Sequence, residues 1–145
     1  MATRALPERA NPMPDTRLSL RIDLANGSRL GPGKVNLLES VKRCASISAA
    51  AREQGMSYRR AWLLIDDMNR AFQVPVVETF PGRSQGKGAN VTELGEKLIR
   101  LYRDTEARCT AATTEQIVQV EEQTNSEYDA KRVKTDRDPP DAGDA

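Results

Sequence analysis

Ser57-Tyr58-Arg59-Arg60 is where this chain concentrates polar chemistry. A hydroxyl able to cap a helix precedes a phenol and two guanidinium groups, all within what would be the helix's first turn. Arginine forks match phosphate oxygens or the edge of guanine, tyrosine can hydrogen-bond or stack, and helix N-terminal amides favour an anion. A second cationic group lies in "PGRSQGKGAN", residues 81–90, where Arg83 and Lys87 sit among Gly82, Gly86 and Gly88. The grouping invites comparison with a phosphate-binding loop. That loop, however, needs four residues between its glycines and a hydroxyl after its lysine. Here three residues separate Gly82 from Gly86, Gly88 follows Lys87, and no helix begins there. A flexible hairpin tip touching phosphates or the minor groove suits Arg83 and Lys87 better, with a solvated loop as the alternative.

Other chemistries are excluded by composition. Among 145 residues there is no histidine, so Ser-His-Asp triads, Cys-His pairs and histidine metal sites are impossible. Cys44 and Cys109 are far apart and read as reduced, partly buried thiols. Asp66 and Asp67 resemble a metal pair, but neighbours on a helix diverge by about 100°. They read as solvated, or as holding Arg70. No cofactor, no metal and no enzyme activity is expected. No apolar run approaches the ~20 residues of a membrane span. Residues 1–15 lack a signal-type apolar core and read as a disordered, Pro-rich lead-in, so a cytoplasmic location is expected.

The net charge of +1 conceals a division. Residues 16–103 carry 15 Lys/Arg against 8 Asp/Glu, or +7, while residues 104–145 carry 5 against 11, or −6. A basic body followed by an acidic tail suits a polyanionic partner for the body.

The elements that would position these side chains follow from periodicity. Leu18, Leu20, Ile22 and Leu24 alternate with polar residues, predicting a half-buried strand. Asn26-Gly27 predicts a tight hairpin and Ser28–Leu30 a short return strand, stopped by "GPGK" at 31–34. Val35, Leu38, Val41 and Ala45, flanked by Leu37, give a helix from Lys34 to Cys44. Ser46 and Ser48 are both cap candidates for the next helix, 47–54 with Ser46 as its cap, and Gly55 marks a left-handed turn. Ser57 caps a helix over 58–72 whose inner stripe is Ala61, Leu64, Ile65, Met68 and Phe72. Pro75 ends it. "VVETF" at 76–80 is strand-like and can pair with "VT" at 91–92. Thr92 starts a further helix with Leu94, Leu98, Leu101 and Tyr102 inward, continuing weakly through Ile117, Val118 and Val120. From Glu121 the composition is too polar for a core.

Two helices about a glycine, then a strand, a Gly- and cation-rich loop and a strand, are the layout of a winged helix-turn-helix. The fold class expected is mainly α with a small β component: a winged helix-turn-helix with an N-terminal β-hairpin and a long C-terminal helix. In such a unit the second helix enters the major groove with its first turn nearest the bases. An ordinary helical hairpin with solvated arginines is the alternative. Trp62, on the flank of the inner stripe, is read as packing against a neighbouring helix in preference to an exposed aromatic contact.

"GPGKVNLLESV", "SISAAAREQGMSYRRAWLLIDDMN" and "VVETFPGRSQGKGANVTELGEKLIRLY" together resemble the amino-terminal DNA-binding domain of ModE-type molybdate-dependent transcriptional regulators. They are more distantly similar to the winged domain of LysR-type regulators. The resemblance covers about residues 18–105 and rests on S-Y-x-x-A-W with D-M-N behind it and the "GKG" wing. It implies a homodimer on double-stranded DNA, acting on molybdate-related genes. It puts Ser57, Tyr58, Arg59 and Arg60 in the recognition helix and Gly86, Lys87 and Gly88 in the wing. With Ser46, Ser48 and Arg83 these make up the candidate DNA-contacting set. Members of that family continue into molybdate-binding β-barrels, whereas 36 residues follow Cys109 here. The expectation is a stand-alone DNA-binding domain over 16–109, then a partly helical, finally disordered acidic tail over 110–145. A protein-interaction module using that tail is the alternative.

Overall fold

The computed structural model describes residues 16–81 and 87–133. Arg17–Thr113 form one compact unit, and the helices beyond Thr113 belong to another. The expected fold class is the one observed: mainly helical, opened by a β-hairpin, with a second small antiparallel sheet ahead of a long helix.

The first hairpin joins β1 (Ile22–Asp23) to β2 (Arg29–Leu30), with Ile22 opposite Leu30. Gly27 turns it at φ +90°, and the Asn26 side chain accepts from Ser28 N at 3.1 Å. The strand expected over 18–24 is thus only two residues long. Carrying the register back sets Leu20 against Pro32, which has no N–H to donate and begins a helix. The Leu20 carbonyl instead accepts the Tyr102 hydroxyl at 2.7 Å. Its alternating residues do not share one buried face either, since Leu18, Leu20 and Leu24 are half-buried and Ile22 is exposed.

"GPGK" does not merely stop a strand. Gly31 is the N-cap and Pro32 the first residue of α1 (Pro32–Cys44), two residues earlier than expected. Proline suits that position because its fixed φ is already helical and its missing N–H would have no partner there. Val35, Leu37, Leu38 and Val41 are fully buried. Helix α1 is the centre of the unit: α2 (Ile47–Glu53), α3 (Tyr58–Ala71), β4 (Lys87–Val91) and α4 (Glu93–Ala112) all pack on it. Ala45, expected on its inner stripe, is instead an exposed left-handed cap at φ 52°.

The hairpin is tied to the far end of α3. Asn26 Nδ2 donates to the Ala71 carbonyl at 2.9 Å, and Ser28 Oγ to Asp67 at 2.6 Å. Lys34 bonds both Asp67 and, at 2.7 Å, the Arg29 carbonyl. The two adjacent acids therefore part company: Asp66 holds Arg70 at 3.0 Å, while Asp67 joins the hairpin. The Lys34 and Ser28 hydrogen bonds lower the Asp67 pKa. Because the folded value lies below the unfolded one of about 3.9, this support is complete above that pH and fades as the folded group protonates. Thermal melts should show a smaller loss of stability on acidification from pH 5 to 3 in Asp67→Asn than in the unaltered chain. Equal losses would remove Asp67 from the linkage.

Strands β3 (Val77–Pro81) and β4 pair antiparallel along their full length, from Val77 with Val91 to Pro81 with Lys87. The pairing extends farther towards the tip than "VT" alone suggested. Thr92 caps α4, accepting from Gly95 N at 3.1 Å while its hydroxyl donates to the Pro75 carbonyl at 2.7 Å. Gly95 lies so close to the Val76 carbonyl and to Val91 Cγ1 that a β-carbon would collide with both. Leu98 and Tyr102 are buried and Leu94 half-buried, as expected, but Leu101 is exposed. Neighbours diverge by about 100° on a helix, so the inner place goes to Tyr102, whose hydroxyl finds a partner there.

Beyond Thr113, α5 (Thr114–Glu122) carries a half-buried Ile117 with Val118 and Val120 exposed. Helix α6 (Ala130–Val133) falls where no structure was expected. Its first turn is capped by Asp129, which accepts from Lys131 N at 2.9 Å.

Candidate functional site

The unit α2–turn–α3 is built by local rules. Ser46 caps α2, its hydroxyl accepting from Ala49 N at 3.2 Å. Ala50 and Ala51 are buried on α2, which packs on both α1 and α3. The C-terminus closes with Met56 N on the Ala51 carbonyl (2.9 Å) and Gly55 N on that of Arg52 (3.1 Å). That bond pair is the Schellman motif, which needs a left-handed residue between the two, and Gly55 supplies it at φ +66°. Half-buried Met56 packs onto the core as the motif's apolar contact.

Ser57 caps α3 by accepting from Arg60 N at 3.1 Å. Ala61, Ile65 and Met68 face the core. Tyr58, Arg59 and Arg60 face water, and Tyr58 is 53% exposed. Among the described residues, no carboxylate pairs with Arg59 or Arg60 within 4.0 Å, whereas Arg21, Arg43, Arg70, Arg103 and Arg108 are each paired. The first turn of α3 thus offers two cations and a phenol to something outside the chain.

The hairpin β3–β4 is fixed to this unit at two points. Asn69, on α3, accepts from Val76 N (2.8 Å) and Val77 N (3.1 Å) and donates to the Val77 carbonyl (3.2 Å). Ala89 N donates to the Ala45 carbonyl, at the α1–α2 junction, at 2.9 Å. One amide side chain therefore ties α3 to the first strand of the hairpin. Gly88 lies under the Phe80 ring, where a β-carbon would clash with the aromatic edge. Of the other expected tip residues, Arg83 and Gly86 lie outside the described residues, as does the side chain of Lys87, whose backbone opens β4.

Ser48, Tyr58, Trp62 and Thr79, with Ile47, surround one concavity between α2, α3 and β3. Trp62 departs from its expected packing role: it is 46% exposed, one helical turn beyond Tyr58 on the same flank. Ala61 and Ile65 already fill the stripe against α2, which leaves the indole at the rim. Thr79 was not singled out in the sequence. Its signal was period two, since it shares a strand face with buried Val77.

Cys44 donates to Glu53 at 3.0 Å, and that hydrogen bond together with burial raises its pKa. Among the described residues, no group of three or more acids, cysteines or histidines is placed to hold a metal ion. None of their helices is long and apolar enough to cross a membrane.

No family model matches the chain. Over 81 residues it is 48% identical to the molybdenum-pterin-binding protein MopB of Rhodobacter capsulatus, covering 56% of this chain and 30% of that one. Over 90 residues it is 37% identical to the molybdenum transport protein ModE of Azotobacter vinelandii, covering 62% and 33%. Over 71 residues it is 38% identical to the DNA-binding transcriptional dual regulator ModE of Escherichia coli K12, covering 49% and 27%. The chain therefore spans about a third of the length of the curated relatives it matches.

Proposed function

We propose that residues 16–109 form a DNA-binding domain of a transcriptional regulator, with α3 in the major groove of double-stranded DNA. The hairpin β3–β4 is the wing and lies along the backbone. The observation that carries this reading is the outward, unpaired pair Arg59 and Arg60 on the first turn of α3, backed by the Ala61–Ile65–Met68 stripe. Similarity to a regulator described as DNA-binding supports it. The molybdenum-related names of the relatives support genes of molybdenum handling as its targets. The working form is a homodimer whose two α3 helices reach half-sites about 34 Å apart.

Within this reading the residues divide by role. Arg59 and Arg60 reach guanine edges or phosphates, Tyr58 hydrogen-bonds or stacks, and Ser57 caps the helix that presents them. Ser46 and Ser48 lie at the start of α2, which crosses the backbone, while Arg83, Lys87 and the glycines Gly86 and Gly88 let the wing approach phosphates.

The test is selection of bound fragments from genomic DNA, followed by gel-shift titration of variants. Arg59→Ala or Arg60→Ala should cost ~1–3 kcal/mol at the base each one reads and relax preference there. Lys87→Ala should weaken selected and random DNA alike and lower the salt slope by about one. If all three variants affect selected and random DNA equally, none of these residues reads a base.

A further inference from the structure

We propose that the concavity between α2, α3 and β3 seats one DNA phosphate through uncharged donors. This rests on the DNA-binding reading above and deepens it. The space is about 170 Å³ and is lined by Ile47, Ser48, Tyr58, Trp62 and Thr79. Water occupies about 30 Å³ per molecule in the liquid, so the space holds a group of several heavy atoms.

Four of the five lining side chains end in a hydrogen-bond donor: two hydroxyls, a phenol and an indole N–H. Among the described residues, none of the four is engaged in a hydrogen bond or ion pair within the chain. They converge from three elements that the Asn69 and Ala45 backbone ties hold together. The indole can only donate, the three hydroxyls can donate or accept, and no carboxylate lines the space. An occupant rich in acceptors engages all four donors at once, which describes phosphate oxygens. A base edge, with donors and acceptors mixed, fits less well. No lysine or arginine lines the space either, so the charge that draws the anion comes from Arg59 and Arg60 on the turn that also supplies Tyr58.

An uncharged seat has a signature that a cationic contact lacks. Salt dependence counts the phosphates neutralised by cations, so losing this seat lowers affinity without flattening the salt slope. Trp62→Phe keeps the ring and removes the N–H, and Thr79→Val keeps the shape and removes the hydroxyl. Each should weaken binding of the selected fragments about tenfold, at an unchanged slope. In the intact chain, a single methylphosphonate scanned along the fragment should weaken binding about tenfold at one phosphate per half-site. The two variants should lose less than the intact chain from the substitution at that phosphate, because part of the seat is already missing.

Trp62 is the only tryptophan, so its fluorescence also reports the seat. Quenching by millimolar inorganic phosphate without DNA would assign the seat to a free oxyanion and overturn the proposal. Fragments that bind with a steep salt slope, yet show no phosphate whose effect shrinks in the variants, would overturn it while leaving DNA binding in place. If no fragment is selected at all, the DNA reading fails and the seat with it.

Discussion

Raising monovalent salt from about 50 to about 200 mM is expected to weaken DNA binding by about 10³- to 10⁵-fold. The reason is ion release. Each phosphate neutralised by a cation frees condensed counterions, so log affinity falls with log salt at about −0.9 per contact. A basic body of +7 over residues 16–103, doubled in the proposed dimer, has the cations for roughly six to ten such contacts. The slope should therefore lie between roughly −5 and −9. Arg43, Arg70, Arg103 and Arg108 are already paired to carboxylates, whereas Arg59 and Arg60 carry no such pair among the described residues and can join the wing cations on phosphates. The experiment is a fluorescence-anisotropy titration at four or more salt concentrations with a labelled, selected fragment. A flat response would exclude DNA as the partner and favour a protein-docking module.

Tyr102→Ala is expected to cost about 3–5 kcal/mol of folding stability, by analogy with other aromatic truncations in cores. Tyr102 is among the largest fully buried side chains, and its hydroxyl satisfies the Leu20 carbonyl across 82 positions of sequence. Removing the ring opens a cavity under α4 and strands that carbonyl at once. Tyr102→Phe separates the two effects, since it keeps the ring and loses only the hydrogen bond, at about 0.5–1.5 kcal/mol. Tyr102→Phe also keeps the ring beneath the Arg103 guanidinium, 5.6 Å from its centroid, and with it the Arg103 contacts with Glu39 and Asn36, both at 2.7 Å, which also join α4 to α1. Urea denaturation of the two variants measures both numbers. Equal losses would mean that the hydrogen bond, and not the packing, is the main anchor.

The elements that obey local rules were legible in the residues. Ser46, Ser57 and Thr92 each cap a helix through a side-chain hydroxyl, and all were among the expected caps, Ser46 beside Ser48, because a short hydroxyl stands before an apolar periodic run. Gly55 was legible as a left-handed turn for the same kind of reason. Several expectations that failed depended on packing between elements. The first strand is short because its register runs into Pro32, and Leu101 turns outward because Tyr102 meets Leu20. Trp62 stands at a rim because Ala61 and Ile65 already occupy the helix contact.

By itself, then, the order of residues determined the places of α1 to α4 in the chain, the hydroxyl caps, the position of the hairpin β3–β4 and the outward turn carrying Tyr58, Arg59 and Arg60. Those features depend on backbone geometry within a few residues, where side-chain type and spacing decide the energy. Only the tertiary structure decided that Ser48, Tyr58, Trp62 and Thr79 meet around one space, and that Asn69 ties α3 to the hairpin. Those facts depend on how α2, α3 and β3 approach one another. That approach is set by packing around α1, which no local periodicity encodes.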